Sequence, residues 1–142
     1  MQNTPQLKAF SFQSQASAAL VDGLRKHRGM LLQGGTGTGK TYIVAQTIKD
    51  SLASLQENDT LGKGPFPVLW ICPAATKMQT ERVLSAYGIS RYVMVMSYSS
   101  LTSPTTGGAM FYKAHTIVHL GKEDMAYEWS EIMLPKLVVF DE

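Results

Sequence analysis

Eight consecutive residues, written GGTGTGKT and spanning positions 34–41, constrain the fold of this 142-residue chain more than any other feature. They match the pattern G-x-x-x-x-G-K-[ST] in full, with a short apolar run before them and an amphipathic stretch after them. Glycines let the backbone turn tightly, so that successive N–H groups point at one phosphate, and the positive end of a following helix adds to that field. The segment therefore predicts a phosphate-binding loop between a strand and a helix; a chance glycine-rich turn is the alternative.

Each residue of this loop has an expected part in binding ATP and Mg²⁺. The Lys40 ammonium would reach the β- and γ-phosphates as a catalytic group, and the Thr41 hydroxyl would bind Mg²⁺. The remaining members would cradle the phosphates with their backbone; they are Gly34, Gly35, Thr36, Gly37, Thr38 and Gly39.

Apolar runs and amphipathic stretches alternate along the chain. Strands are predicted at Met30–Leu32, Val68–Cys72, Tyr92–Met96 and Leu137–Phe140, and helices at Ser14–Lys26, Lys40–Leu55 and Ala75–Tyr87. Between Ser103 and Lys136 the pattern is weaker: it indicates a turn at Gly107-Gly108, a helix over Asp124–Met133, and either type at Thr116–Leu120. Strands that alternate with helices predict an α/β fold, a three-layer domain with a mostly parallel sheet covered on both sides.

The last predicted strand ends in two carboxylates, Asp141 and Glu142. In an open α/β sheet, ligands bind beyond the carboxyl ends of the strands, so both acids are expected beside the phosphate-binding loop. Asp141 would hold Mg²⁺, and Glu142 would orient and deprotonate the attacking water as the catalytic base. A solvated strand end is the alternative for this pair when it is considered by itself.

Composition narrows the class of protein. Apolar residues make up 44% and charged residues 17%, which suits a globular domain, and no apolar run approaches the ~20 residues of a membrane span. The amino terminus lacks the pattern of a signal peptide, so a cytoplasmic location is expected. The single cysteine, Cys72, is expected to be a buried apolar residue, and a net charge of +2 is too small to predict nucleic-acid binding.

Three further segments resemble superfamily 2 helicases. Residues 10–16 are similar to the segment upstream of their phosphate-binding loop, where a glutamine reads adenine, which implies this role for Gln13, with Gln15 a weaker candidate. Residues 69–79 resemble motif Ia, whose turn grips a nucleic-acid strand, and residues 95–101 resemble a segment of helicases and Swi/Snf-type translocases. The resemblance implies nucleic-acid contacts by Pro73, Thr76, Lys77 and Ser97, although an ordinary strand-to-helix loop remains an alternative.

The resemblance implies the first RecA-like domain of an ATP-dependent DNA or RNA helicase or translocase, over residues 1–142. Residues 129–142 are similar to phage-type members, which would place the protein in a host cytoplasm. The family pattern continues past Asp-Glu into a second RecA-like domain, so the domain is expected to be incomplete at its C-terminus and that domain to be a partner. Two alternatives stay open: a non-catalytic nucleotide- or partner-binding half-motor, or relic, if the chain ends at Glu142, and a small kinase, which would need an acceptor site.

Overall fold

A computed structural model describes residues 11–35, 37–57, 66–103, 112–130 and 135–142. Its helices are α1 (Ser11–Lys26), α2 (Lys40–Glu57), α3 (Lys77–Ala86) and α4 (Tyr98–Thr102), and its strands are β1 (Val68–Cys72), β2 (Val93–Ser97), β3 (Tyr112–His119), β4 (Lys122–Trp129) and β5 (Leu137–Phe140). Two short 3₁₀ helices, Ala74–Thr76 and Ser90–Tyr92, precede α3 and β2. The predicted turn at Gly107-Gly108 and the loop residue Thr36 lie outside the described residues.

A three-stranded parallel sheet in the order β2-β1-β5 forms the centre of the fold. The register pairs Val68 with Val93 on one side of β1 and with Leu137 on the other. All five residues of β1 are buried, as expected for a short apolar run that is covered on both faces. The α/β class with a parallel sheet is confirmed, and this sheet with its helices is consistent with part of a RecA-like domain.

Alternate residues of β1 point into two separate apolar clusters. Val68, Trp70 and Cys72 pack on one face with side chains of α2, α3 and β2, whereas Leu69 and Ile71 pack on the other face with Met96 and with side chains of α4 and β3. This alternation follows from the two-residue period of a strand. The sheet is therefore the middle of three layers. Cys72 is fully buried, as its apolar surroundings in the sequence predict.

The predicted strand at Met30–Leu32 is wrong, because residues 29–35 form no strand. A strand needs a neighbour for its backbone N–H and C=O groups. Instead, the Met30 side chain lies against Gly23 of α1, and Leu31 is 86% exposed. Leu31 and Leu32 line the same cavity as Val139 and Phe140 of β5, and among the described residues β5 pairs with β1 alone.

The predicted helix at Asp124–Met133 is also wrong over its described part, which belongs to β4. Strands β3 and β4 form an antiparallel hairpin, in which Thr116 pairs with Met125. Leu120 and Gly121 form its turn with φ of 50° and 76°, the backbone signs of a type I′ turn. The ambiguous stretch Thr116–Leu120 is thus mostly strand. The missed signals are the β-branched residues Thr116, Ile117 and Val118 before a Leu-Gly turn, which favour a strand.

Burial in the cluster around β1 predicts how stability responds to truncation. Leu84 of α3 is 1% exposed, whereas Leu120 at the hairpin turn is 91% exposed. We expect Leu84→Ala to lower the free energy of unfolding by about 2–5 kcal/mol, because it leaves a cavity in a packed core. The matched change Leu120→Ala should stay within about 0.5 kcal/mol of the unmodified chain. Urea unfolding followed by circular dichroism measures both, and equal losses would contradict the packing described here.

Candidate functional site

In the loop that is predicted to bind phosphate, the described residues among 34–41 are held together by polar side chains of the loop itself. The Lys40 ammonium donates hydrogen bonds to the carbonyl oxygens of Gly34 at 2.7 Å and Gly35 at 3.3 Å. The Thr38 hydroxyl also donates to the Gly35 carbonyl, at 2.8 Å. Helix α2 begins at Lys40, so the positive end of its dipole lies directly behind the loop.

Gly39 allows a close approach between the loop and α1. Its φ is +73°, and the amide nitrogen of the Gln13 side chain occupies the space that a β-carbon at this position would need. A residue other than glycine would therefore be strained and would also displace Gln13. The structure thus places Gln13 against the loop, and the sequence alone predicted this proximity only through the family resemblance.

One cavity of about 680 Å³ brings the loop and the acidic pair together. This volume lies within the range of small-molecule sites, roughly 300–1,000 Å³. Of the predicted site residues, it is lined by Gly34, Lys40, Thr41, Asp141 and Glu142. The other lining residues are Leu31, Leu32, Gln33, Val44, Trp70, Tyr98, Val139 and Phe140. A cation, a hydroxyl and two carboxylates therefore share one concave surface.

Asp141 is held on three sides. Its backbone N–H donates to the carbonyl oxygen of Ile71 at 2.8 Å, which extends the pairing of β5 with β1 by one residue. The Tyr98 hydroxyl donates to the Asp141 carbonyl oxygen at 2.8 Å, and the Trp70 indole N–H donates to Asp141 Oδ2 at 3.3 Å. Neither aromatic residue was predicted to belong to the site.

Two titratable groups beside the site keep their protons. Burial raises the pKa of Tyr98 above its usual 10.0, and the negative charges of Asp141 and Glu142 raise it further. Burial likewise raises the pKa of the Cys72 thiol above 9.0, against a smaller lowering effect of its hydrogen bond with Thr76. At neutral pH, Tyr98 therefore remains a hydrogen-bond donor and Cys72 a neutral thiol.

The residues around this cavity fit a nucleotide with Mg²⁺ better than an independent metal site. Among the described residues, no group of three or more His, Cys, Asp and Glu side chains is arranged to hold a metal ion. Mg²⁺ commonly uses one or two protein ligands and completes its shell with water and phosphate oxygens. Thr41 and Asp141, which line the same cavity as Lys40, meet that requirement.

Comparison with known families decides the class of the chain. The family model described as type III restriction enzyme, res subunit, matches residues 6–142. The chain belongs to this family. Its members carry a helicase-like ATPase domain of superfamily 2, so the resemblance seen in the sequence is confirmed at that level. Comparisons with curated proteins and with solved structures found no match.

The family's expected nucleic-acid residues lie outside the cavity, at the same edge of the sheet. Pro73 follows β1, and Ser97 ends β2, where it pairs with Cys72. The Thr76 hydroxyl donates to the Pro73 carbonyl oxygen at 3.1 Å, and Lys77 begins α3. Ser97 is 6% exposed, and its hydroxyl accepts a hydrogen bond from the Ser100 backbone N–H at the start of α4. Its contact with nucleic acid stays a prediction.

Trp70 is the neighbour of Asp141 that the sequence could have revealed. It stands in an otherwise aliphatic and sulfur-bearing buried strand, where its indole N–H needs an acceptor. An acid that follows a parallel strand is a candidate for that acceptor.

The described part of the chain contains no helix long and apolar enough to cross a membrane.

Three glycines allow a test of the loop geometry. Gly37 and Gly39 both have positive φ, but only Gly39 is crowded, and Gly29 has neither property. We expect Gly37→Ala and Gly39→Ala each to cost roughly 1–2 kcal/mol of stability, because an L-residue is strained at that φ. Gly29→Ala should stay within about 0.5 kcal/mol. Thermal unfolding measures all three variants, and three equal effects would show that the loop does not have this backbone.

Proposed function

We propose that this chain is the ATP-binding part of an ATP-dependent helicase or translocase that uses hydrolysis to move on, or unwind, DNA or RNA. The proposal rests on one observation above all: Lys40 and Thr41 of the phosphate-binding loop line the same cavity as Asp141 and Glu142 of β5. Membership of a superfamily 2 helicase-like family supports it.

In this proposal, the loop binds the phosphates of ATP. The Lys40 ammonium, which donates to the Gly34 and Gly35 carbonyls, would exchange these acceptors for β- and γ-phosphate oxygens. The backbone N–H groups of residues 34–39 would complete the phosphate cradle. Gln13, which lies against Gly39, would recognise the adenine edge with its amide as donor and acceptor.

The two acids of the pair would have different roles, Asp141 in binding Mg²⁺ and Glu142 in activating water. Mg²⁺, held by Thr41 and Asp141 together with phosphate oxygens, would neutralise negative charge on the phosphates. Glu142, one residue beyond Asp141, would accept the proton of the attacking water and orient it. Both roles need the carboxylates at the loop, and the common cavity meets this requirement.

Motion along nucleic acid would involve the ends of β1 and β2. Pro73, Thr76 and Lys77 would contact phosphates of one strand through a hydroxyl, an ammonium and helix N–H groups, with Ser97 nearby. Neither the 3₁₀ helix nor α3 has a side-chain cap at its start, but the Thr76 and Lys77 N–H groups already donate to the Pro73 and Ala74 carbonyl oxygens, so any helix N–H contact would fall to the first residues of the 3₁₀ helix. A second RecA-like domain would supply arginines to the ATP site. We further propose that the protein is of phage type and acts in the host cytoplasm.

Nucleotide binding tests the role of the loop lysine. We expect Lys40→Ala to weaken ATP binding at least ~10-fold, because the main cation at the phosphates is lost. The matched control is Lys49→Ala, an exposed lysine on the same helix α2, which should leave affinity unchanged. Fluorescence titration with an ATP analogue gives both dissociation constants. Equal affinities for the two variants would exclude the proposed loop function.

Hydrolysis tests the role of the terminal acid. Glu142→Gln should retain ATP binding and lower the hydrolysis rate by about 10²–10⁴-fold, since a general base is replaced by an isosteric amide. Phosphate release is measured with and without DNA or RNA, in the protein as encoded, with Glu81→Gln on the exposed side of α3 as the control. Undiminished turnover of Glu142→Gln would place the base elsewhere. Nucleotide binding without any turnover by the unmodified protein would favour the non-catalytic alternative.

A further inference from the structure

Asp141 is fixed in place far more firmly than a residue at the end of a strand requires. One bond to the Ile71 carbonyl continues the sheet, but two further bonds come from aromatic side chains on other elements, Trp70 of β1 and Tyr98 of α4. One of these reaches the carboxylate and the other the main chain. Together they fix both the backbone and the side chain of this single acid.

The hydrogen bond from Trp70 selects one orientation of the carboxylate. The terminal torsion of an aspartate side chain is broad, so the carboxylate by itself rotates easily. Among the described residues, Oδ2 accepts the indole N–H and Oδ1 accepts no hydrogen bond. The indole is 1% exposed and packed among the side chains of α2 and α3, so the donor itself cannot move far.

Tyr98 fixes the backbone from the opposite face of the sheet. It packs with Leu69, Ile71 and Met96, whereas Trp70 packs with the cluster on the other face. Its hydroxyl donates a hydrogen bond to the Asp141 carbonyl oxygen at 2.8 Å. Asp141 is therefore anchored to both apolar layers of the domain.

We propose that Trp70 and Tyr98 are positioning residues that hold Asp141 ready to bind Mg²⁺ through Oδ1. This inference rests on the proposed function, in which Asp141 is a metal ligand. Hydrogen-bond partners of metal ligands orient them, and their loss typically costs about 10–100-fold in metal affinity. The two aromatic side chains would thus act on the metal through Asp141, without touching it.

The experiment compares the Mg²⁺ dependence of ATP binding in the full chain. Affinity for ATP is measured in EDTA and over a Mg²⁺ titration, for the unmodified protein, Trp70→Phe and Tyr98→Phe. We expect Trp70→Phe to raise the Mg²⁺ concentration for half-maximal effect by about 10–100-fold. Tyr98→Phe, which removes one oxygen atom, should shift it in the same direction. Affinity in EDTA should change by much less than the Mg²⁺ dependence in both, because the phosphate-binding loop is intact even though both side chains line the cavity.

A control variant separates positioning from stability. Leu84 belongs to the same buried cluster as Trp70 but makes no contact with Asp141 among the described hydrogen bonds, so Leu84→Ala destabilises the fold without changing the proposed device. It should leave the Mg²⁺ titration unchanged below its unfolding temperature. If Trp70→Phe does not fold, Tyr98→Phe decides. A Mg²⁺ dependence equal to that of the unmodified protein in the folded aromatic variants would overturn this inference alone.

A double-mutant cycle tests whether Trp70 acts through Asp141. In an Asp141→Asn background, Trp70→Phe should cause little further loss of Mg²⁺ dependence, because the group that it positions is already impaired. Additive losses would mean that Trp70 acts on the fold as a whole and would overturn the inference. If the unmodified protein binds ATP without any dependence on Mg²⁺ or Lys40, the proposed function fails, and this inference fails with it.

Discussion

The parallel pairing of β1 with β2 and β5 is the constraint on which the rest of the structure depends. Strand β1 is buried on both faces and hydrogen-bonded on both edges, so it fixes the level at which its neighbours end. Because all three strands run in the same direction, Pro73, Tyr98 and Asp141 emerge at one edge of the sheet. A shift of one residue in the β5 register would turn Asp141 to the other face and away from Trp70.

The loop that binds phosphate in our proposal is positioned by helices and not by the sheet. Residues 29–35 make no strand, yet the loop has a defined place, because α1 packs along α2. The Thr47 hydroxyl of α2 donates to the Ser17 hydroxyl of α1 at 3.2 Å in a buried contact, and Gln13 of α1 lies against Gly39. The same helix pair therefore sets the distance between the loop and the residue expected to read adenine.

Short sequence patterns correctly predicted the elements whose limits depend on neighbouring residues in the sequence. The limits of β1 follow from an apolar run, and the start of α2 follows from a glycine-lysine step. Gly88, with φ of +72°, ends the predicted third helix. Met30–Leu32 has the composition of a strand, but a strand also needs a partner, which composition does not encode. The hairpin was missed because short stretches of mixed polarity fit two periods equally well.

The residues of the site also fall into two groups, those that a sequence motif predicts and those that depend on a contact distant in the sequence. The sequence motif is sufficient to predict that Lys40 and the acidic pair lie together, because the chemistry of phosphate and magnesium restricts which residues can serve, and one cavity does contain all three. Such a motif does not reveal Trp70, since the positioning role that we propose for it depends on a contact between residues that lie 71 positions apart. Its burial is predictable from the strand, but its acceptor is known only when the register of β5 is known. A buried polar atom without a hydrogen-bond partner is energetically costly. A tryptophan in a buried strand therefore predicts that a neighbouring strand carries an acceptor for its indole N–H.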